Sequence, residues 1–352
     1  MKKIKVVHHT KGCGYSGTDR TAQLFCQYLD RSKFEPYIVY RENADCSRVN
    51  FMKRELEGSN VVEYDHEHGN NVSPYWPKRD NFVDVIRSIN PDIIHFHRSG
   101  HTEWPCLPFL KKEFPKVKFV ETNIFAHNDN FPWDLRLFIC PYIATRAGHP
   151  DGSYLYNPVE LPYCGEGSDD SDIVVLGRIG RQDNFYDISL QACRLLLGRG
   201  IKNWKYLIVN PCDKWINRIH ELGLDKYCEP IVPIYDNRSL SRFYSLLDVF
   251  AHSRSDGECQ SVCMSEAQIH GVPIVTHKSP CWNGQVDQIN LSNCGFCVGW
   301  NDAVGYADNL QALIESKSLR ERLGGNGRRW ANHNVEASVV VKQLEGYYEG
   351  LI

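Results

Sequence analysis

No run of about 18 apolar residues occurs anywhere in this sequence, so no segment is expected to cross a membrane as a helix. An export signal is also lacking. Lys2-Lys3 leads into only Ile4-Lys5-Val6-Val7 before two histidines, far short of a signal-peptide core. Charge of one sign is not in excess either: the formal net charge is -3, which gives no broad attraction to nucleic acid or anionic lipid. No short-period repeat is present, and the only internal echo is a pair of similar halves. A soluble chain, cytoplasmic or peripheral to a membrane, is the expectation these absences leave.

What is abundant is apolar and aromatic. Hydrophobic residues make up 42% of the chain, with 18 Tyr, 15 Phe and 8 Trp, ample for packed cores. At 352 residues the chain exceeds one ordinary core, and two domains are expected. The 14 cysteines are scattered through apolar segments such as Leu24-Phe25-Cys26 and Phe138-Ile139-Cys140. Without export, these thiols are expected to stay reduced.

The first half reads as alternating strand and helix. Ile4 to His8 is a strand, Gly12 to Gly17 a glycine-rich loop, and Thr18 to Leu29 a helix with Thr18 as its N-cap. Strands follow at 37–40, 93–96 and 117–120, with helices at 81–89 and 104–113. The turn-rich, polar segments at 148–152 and 165–171 mark a boundary. A second series then runs through strands at 173–176, 206–209, 229–232, 249–251, 274–276 and 295–298. The helices of this half fall at 187–197, 216–222, 240–247 and 262–270. The tail is helical, at 307–314, 319–332 and 336–351. Such alternation implies parallel sheets with helices on both faces, an α/β class.

The segment from Ser255 to Ala267 carries the chemistry. Glu258 lies in a glycine-containing loop after a strand, and Glu266, eight positions on, lies on the helix that follows. Gly271 stops that helix and Pro273 cannot continue it. The backbone N–H groups of Cys259, Gln260, Ser261 and Val262 then sit unpaired at a helix N-terminus, an anion site suited to a diphosphate. Glu258 can accept hydrogen bonds from sugar hydroxyls on one side of it. Glu266, about two turns further on, can accept from ribose hydroxyls on the other.

This segment resembles the E-x7-E signature of the family-4 retaining glycosyltransferases of the GT-B fold. Gly17-Thr18-Asp19-Arg20 is similar to the family's first-loop Gly-Gly-x-Glu-Arg. Pro91 to His97 resembles the strand that usually reads D-V-V-H-x-H, and Tyr156 to Glu160 the turn into the second domain. Gly177-Arg178 resembles the loop whose arginine grips donor phosphates, and Phe243 to Phe250 the approach to the signature. The resemblance implies two Rossmann-like doubly wound domains facing each other across a cleft. Residues 1–163 form the acceptor side and 164–335 the nucleotide-sugar side, while 336–352 form a helix returning to the first domain. It implies transfer of a sugar from a nucleotide-diphosphate sugar to a glycan, lipid or protein-linked acceptor, with retention and with neither metal nor cofactor. Glu258, Arg178, Arg181, Asn123 and His127 are then catalytic. Glu266, Cys259, Gln260, Ser261, Val262, Gly177 and Gly17 bind the donor.

The departures are specific. Asp183 stands where the family has a phosphate-binding lysine, and Arg181 is the nearest cation able to replace it. Gln260-Ser261 replaces a Phe-Gly. The family's first-domain histidine falls near Asn123, so either Asn123 takes its place or His127 reaches in. Competing readings are weaker. Asp170-Ser171-Asp172 suits a metal-dependent GT-A transferase, but it precedes a strand instead of following one. Cys294-x-x-Cys297, with Cys259, Cys263 and Cys281, has zinc spacing but lacks a second pair. His95-x-His97 and His66-x-His68 read as cleft or surface histidines. Gly12-x-Gly14-x-x-Gly17 lacks the acidic residue that a dinucleotide ribose needs. A catalytically silent GT-B protein that binds sugar nucleotide or glycan is the main alternative, and a sugar-nucleotide epimerase of the same fold a minor one.

Overall fold

The structure is a computed structural model. It describes residues 2–352 except 43, 57, 66–70, 73–78, 99–106, 163–171 and 180–183. The chain divides into two compact units, one of Met1–Pro158 with Ala337–Ile352, the other of Val159–Glu336.

The first unit holds strands β1 (Ile4–Thr10), β2 (Phe34–Arg41), β3 (Val61–Tyr64), β4 (Ile93–Arg98), β5 (Lys118–Asn123) and β6 (Leu135–Phe138). They pair in parallel in the order β3-β2-β1-β4-β5-β6. The second unit holds β7 (Val174–Ile179), β8 (Trp204–Val209), β9 (Cys228–Ile231), β10 (Val249–Ala251), β11 (Ile274–His277) and β12 (Gly295–Val298). They too are parallel, in the order β9-β8-β7-β10-β11-β12. Both sheets therefore have the Rossmann strand order. In each, the connections reverse direction beside the first strand, between β1 and β4 and between β7 and β10. Ligands of open α/β sheets bind outside the carboxyl ends of the strands at such a switch point.

Helices α1 (Gly17–Tyr28), α2 (Val49–Glu55), α3 (Phe82–Ile89), α4 (Leu107–Glu113) and α5 (Pro141–Arg146) belong to the first unit. The second unit has α6 (Ile188–Gly198), α7 (Asp213–Glu221), α8 (Asn237–Ser245), α9 (Val262–Ile269), α10 (Gly284–Ser292), α11 (Ala303–Glu315) and α12 (Lys317–Asn334). The last helix, α13 (Ala337–Glu349), is part of the first unit. Its Val340, Val341, Leu344 and Tyr348 share a core with Val6, Phe25, Phe34, Ile93 and Val120. Its Glu345 accepts the Asp30 N–H just past the end of α1, at 2.8 Å.

Two local expectations need correction. The N-cap of α1 is Ser16, not Thr18: its hydroxyl accepts the Asp19 N–H, and Gly17 is already the first helical residue. The histidines of β4 are neither surface nor cleft groups. Alternation along the strand puts His95 and His97 on one face with His8 of β1, and all three are buried beside Phe25. His8 Nδ1 and His97 Nε2 are 3.0 Å apart, while His95 bonds Tyr348 Oη and Thr122 Oγ1. His8 Nε2 and His97 Nδ1 have no hydrogen-bond partner among the described residues. Burial holds all three pKa values down, that of His97 to about 3. The rings stack, with His95 and His97 centroids 4.4 Å apart and planes at 26°. His66 and His68 lie outside the described residues.

Candidate active site

The switch point of the second sheet gathers the residues named from the sequence. Arg178, near the end of β7, is only 2% exposed. Its guanidinium lies 4.1 Å from the centre of the Trp215 ring and donates through Nη2 to the Ser253 carbonyl, at 2.9 Å. Its Nε has no hydrogen-bond partner among the described residues. Burial lowers its pKa, yet a guanidinium stays charged in a protein. Gly177 lets this strand pack closely, since a Cβ there would stand 2.4 Å from Leu247 Cδ2.

Ser253 follows β10, and buried hydroxyls fix that strand end. Tyr206 Oη donates to the Ala251 carbonyl at 3.0 Å, and Tyr306 Oη to the His252 carbonyl at 3.1 Å. The chain then turns through Gly257, whose φ of 70° lies in the left-handed region glycine tolerates. A two-residue ladder, Gly257–Glu258 with Trp282–Asn283, carries it to α9.

Glu258 is held on three sides. Arg254 Nη1 donates to its Oε2 at 3.1 Å. Its Oε1 lies 3.4 Å from His252 Nε2 and accepts from Ser261 Oγ at 3.4 Å. Arg254 is itself clamped by Asp256 through Nε and Nη2, at 2.6 and 3.0 Å. Glu266, one face along α9, accepts the Tyr244 hydroxyl at 2.7 Å.

The expected set of unpaired N–H groups is narrower than the sequence implied. Ser261 is the N-cap of α9, its hydroxyl accepting the Met264 N–H, and its own N–H donates to Gln288 Oε1 at 3.3 Å. Gln285 Oε1 similarly takes the Glu258 N–H at 3.0 Å. With the Met264 N–H capped, the helical N–H groups at this end with neither an i−4 nor a cap partner among the described residues are those of Val262 and Cys263. Cys259 and Gln260 are buried in the loop between. Gly284 at the start of α10 backs onto it: a Cβ there would come within 1.8 Å of the Cys259 carbonyl.

The remaining expected residues are placed as follows. Gly17 is exposed in the first turn of α1. The preceding loop spends donors on its own chain, with Cys13 N bonding Asp45 O at 2.8 Å and Tyr15 N bonding Asp45 Oδ2 at 3.3 Å. Asn123 ends β5, buried, and its amide closes a turn on His127 by donating to that carbonyl at 2.6 Å and accepting its N–H at 3.2 Å. Arg181 and Asp183 lie outside the described residues, as do Asp170 and Ser171. Cys294 is buried and accepts from Gln268 Nε2 at 3.2 Å. Among the described residues, neither grouping able to hold a metal includes Cys294 or Cys297.

Sequence reasoning missed Arg254, His252, Gln285 and Gln288. Arg254-x-Asp256-x-Glu258 was visible as alternating charge. The two glutamines, spaced three apart on an unrecognised helix, gave no such signal.

Comparison with known proteins agrees with this geometry. The Anabaena protein HepE, solved with UDP and glucose, superposes with a TM-score of 0.73 at 12% identity, over 99% of this chain and 100% of that one. A glycosyltransferase from Rickettsia africae gives 0.75 at 15% identity, over 100% and 99%. The fold is therefore of the GT-B kind. Residues 165–330, most of the second unit, match the family described as glycosyl transferases group 1. The capsular polysaccharide biosynthesis glycosyltransferase CapM of Staphylococcus aureus is 25% identical over 194 residues, 54% of this chain and 49% of CapM. Spore coat protein SA of Bacillus subtilis is 27% identical over 142 residues, 40% of this chain and 37% of that protein. The match thus spans half or less of the length of each curated relative.

Proposed function

We propose that this chain is a retaining glycosyltransferase that moves a sugar from a nucleotide-diphosphate sugar to a glycan, lipid or protein-linked acceptor. The observation that carries the reading is Arg178, Glu258, Glu266 and the start of α9 at the switch point of the sheet whose unit contains the match to glycosyl transferases group 1. On this reading the diphosphate lies against the Val262 and Cys263 N–H groups, where the helix dipole favours negative charge. Arg178 turns from the Ser253 carbonyl toward it. Glu266, oriented by Tyr244, accepts ribose hydroxyls, and Glu258 faces the sugar. In the first unit the Asn123 amide is engaged in the turn with His127, which makes His127 the better candidate for the family's first-domain histidine.

The reaction breaks the bond from the anomeric carbon to the phosphate oxygen and forms one to the acceptor oxygen on the same face. The acceptor proton passes to the departing phosphate oxygen, so the sugar keeps its configuration. Fixed cations and a helix end stabilise the charge that develops on the leaving group, and no metal takes part. Turnover in excess EDTA should therefore be no lower than in its absence. Activity lost to EDTA and restored by manganese would contradict the proposal.

Arg181 supplies the second cation in place of the family's lysine. One arginine and a helix dipole of about half a charge balance a diphosphate poorly, and Arg181 is the nearest further cation in the sequence. Arg181→Ala should lower the catalytic rate by about 100-fold with a smaller effect on KM, and Arg181→Lys should keep part of the rate. Near-wild-type turnover of the alanine variant would show that another cation does the work. The cytoplasm, or its membrane surface, suits a protein whose cysteines are scattered through apolar segments.

One observation favours a second reading, a catalytically silent protein that binds sugar nucleotide or glycan: Arg178 is deeply buried and already bonded to Ser253. Product formation with a bound donor separates the two.

A further inference from the structure

Three potential metal ligands of different chemistry meet beside Glu258. The ligand atoms of His252, Glu258 and Cys263 all lie within 4.8 Å of one another. His252 is 3% exposed, and its Nε2 makes no hydrogen bond among the described residues although Glu258 Oε1 is 3.4 Å away. Its Nδ1 lies 3.9 Å from Cys263 Sγ. Leaving a buried ring nitrogen unsatisfied is costly, so something that completes it is favoured. The other carboxylate oxygen of Glu258 is held by Arg254 and its Oε1 by Ser261, the outer-shell support a ligating carboxylate normally has.

We propose that His252, Glu258 and Cys263 form a binding site for a thiophilic divalent metal, zinc, inside the pocket assigned above to the donor. Zinc takes sulfur at about 2.3 Å and nitrogen or oxygen at about 2.0 to 2.2 Å, in a tetrahedron. Ligand atoms in such a tetrahedron are separated by about 3.3 to 3.6 Å; with Nε2 as the ligating ring nitrogen, Cys263 Sγ moves from the Nδ1 side toward Glu258 Oε1 to close the set. The thiol proton leaves as zinc takes its place, and thiolate plus carboxylate match the ion's two charges. The fourth position stays open to water. This site differs from the cysteine pair suggested by Cys294 and Cys297, and from the histidine stack of the first unit. Because it consumes Glu258, zinc and nucleotide sugar should exclude one another; that consequence, unlike the site itself, rests on the proposed function.

The test uses the full chain, stripped with EDTA and desalted, and titrated with cobalt(II) as the probe. One equivalent should produce a thiolate-to-cobalt charge-transfer band that zinc then displaces. Cys263→Ser should abolish the band, while Cys281→Ser, at an exposed cysteine elsewhere, should keep it. His252→Gln, which retains the thiol, should weaken cobalt binding by at least about tenfold, the range seen even for outer-shell partners. Melting curves matching wild type show that the variants are folded. No saturable band in folded wild-type protein, or a band that survives Cys263→Ser, would overturn the site. A Cys263-dependent band in a protein that binds no nucleotide sugar even without metal would instead overturn the donor reading and leave the zinc site standing.

Discussion

Glu258→Gln should lower glycosyl transfer by about 100-fold or more, with a smaller change in donor affinity. The substitution keeps shape and removes charge. Arg254 can still donate to the amide oxygen, and the Ser261 hydroxyl can accept from the amide nitrogen, so the loop anchored by Gln285 and Gln288 stays in place. What is lost is a fixed negative group beside the sugar, where positive charge develops as the glycosidic bond breaks. Removing one preorganised electrostatic partner of a transition state typically costs about 100- to 1000-fold in rate. The relevant readout is the split between kcat and KM, measured with whichever donor the wild type turns over. A lowered melting temperature with kcat within about threefold would mean that Glu258 serves only to anchor Arg254.

Acid should destabilise the first unit more steeply than surface titration can explain. His8, His95 and His97 are held neutral by burial, with pKa values below the ordinary 6.5 and that of His97 near 3. His97 and Arg31 add repulsion to a charged His8. The groups packed around the cluster are Phe25 on α1, Thr122 on β5 and Tyr348 on α13, and none of these carries a compensating negative charge. The sign follows from which state holds more protons. Below about pH 6.5 the unfolded chain protonates these rings and the folded chain does not, so stability is full above 6.5 and falls as pH drops. His97 alone contributes about 2 kcal/mol of loss by pH 5 and a limiting slope of about 1.4 kcal/mol per pH unit, and His8 and His95 add to it in the same direction. Urea unfolding between pH 7.5 and 5 should show this. His97→Gln should reduce the slope by close to one group's share, even if it lowers stability at every pH. Equal slopes in variant and wild type would mean that His97 is charged in the folded protein.

The sheets were legible because parallel strands buried on both faces are short apolar runs, as at Val174-Val175-Leu176 or Tyr206-Leu207-Ile208-Val209. Elements whose burial is polar or whose length is short were not. Helix α10 buries Gln285, Gln288 and Ser292, so its sequence has no apolar stripe to read. Strand β6 has four residues including Arg136, whose charge is matched by buried Glu121 and by Asp129. Helix α5 is six residues long and opens on Pro141. At the site, the two glutamates were legible because loop, spacing and helix stop coincide. The pairings that orient them were not, because Tyr244, Gln285 and Gln288 come from neighbouring helices. Arg178 was expected at the phosphates; that it rests on Trp215 under the Ser253 carbonyl is information only packing supplies.

The central claim is that Glu266 and the start of α9 bind a nucleotide-diphosphate sugar. Calorimetry with UDP-, GDP-, ADP- and TDP-sugars tests it most directly, on the wild type and on Glu266→Gln, which keeps an acceptor for the Tyr244 hydroxyl. The account predicts saturable binding of at least one donor, weakened about 30-fold or more in the variant, as loss of a charged hydrogen-bond acceptor of about 2 kcal/mol requires. No binding of any donor to folded wild type, or equal affinity in the variant, would contradict it.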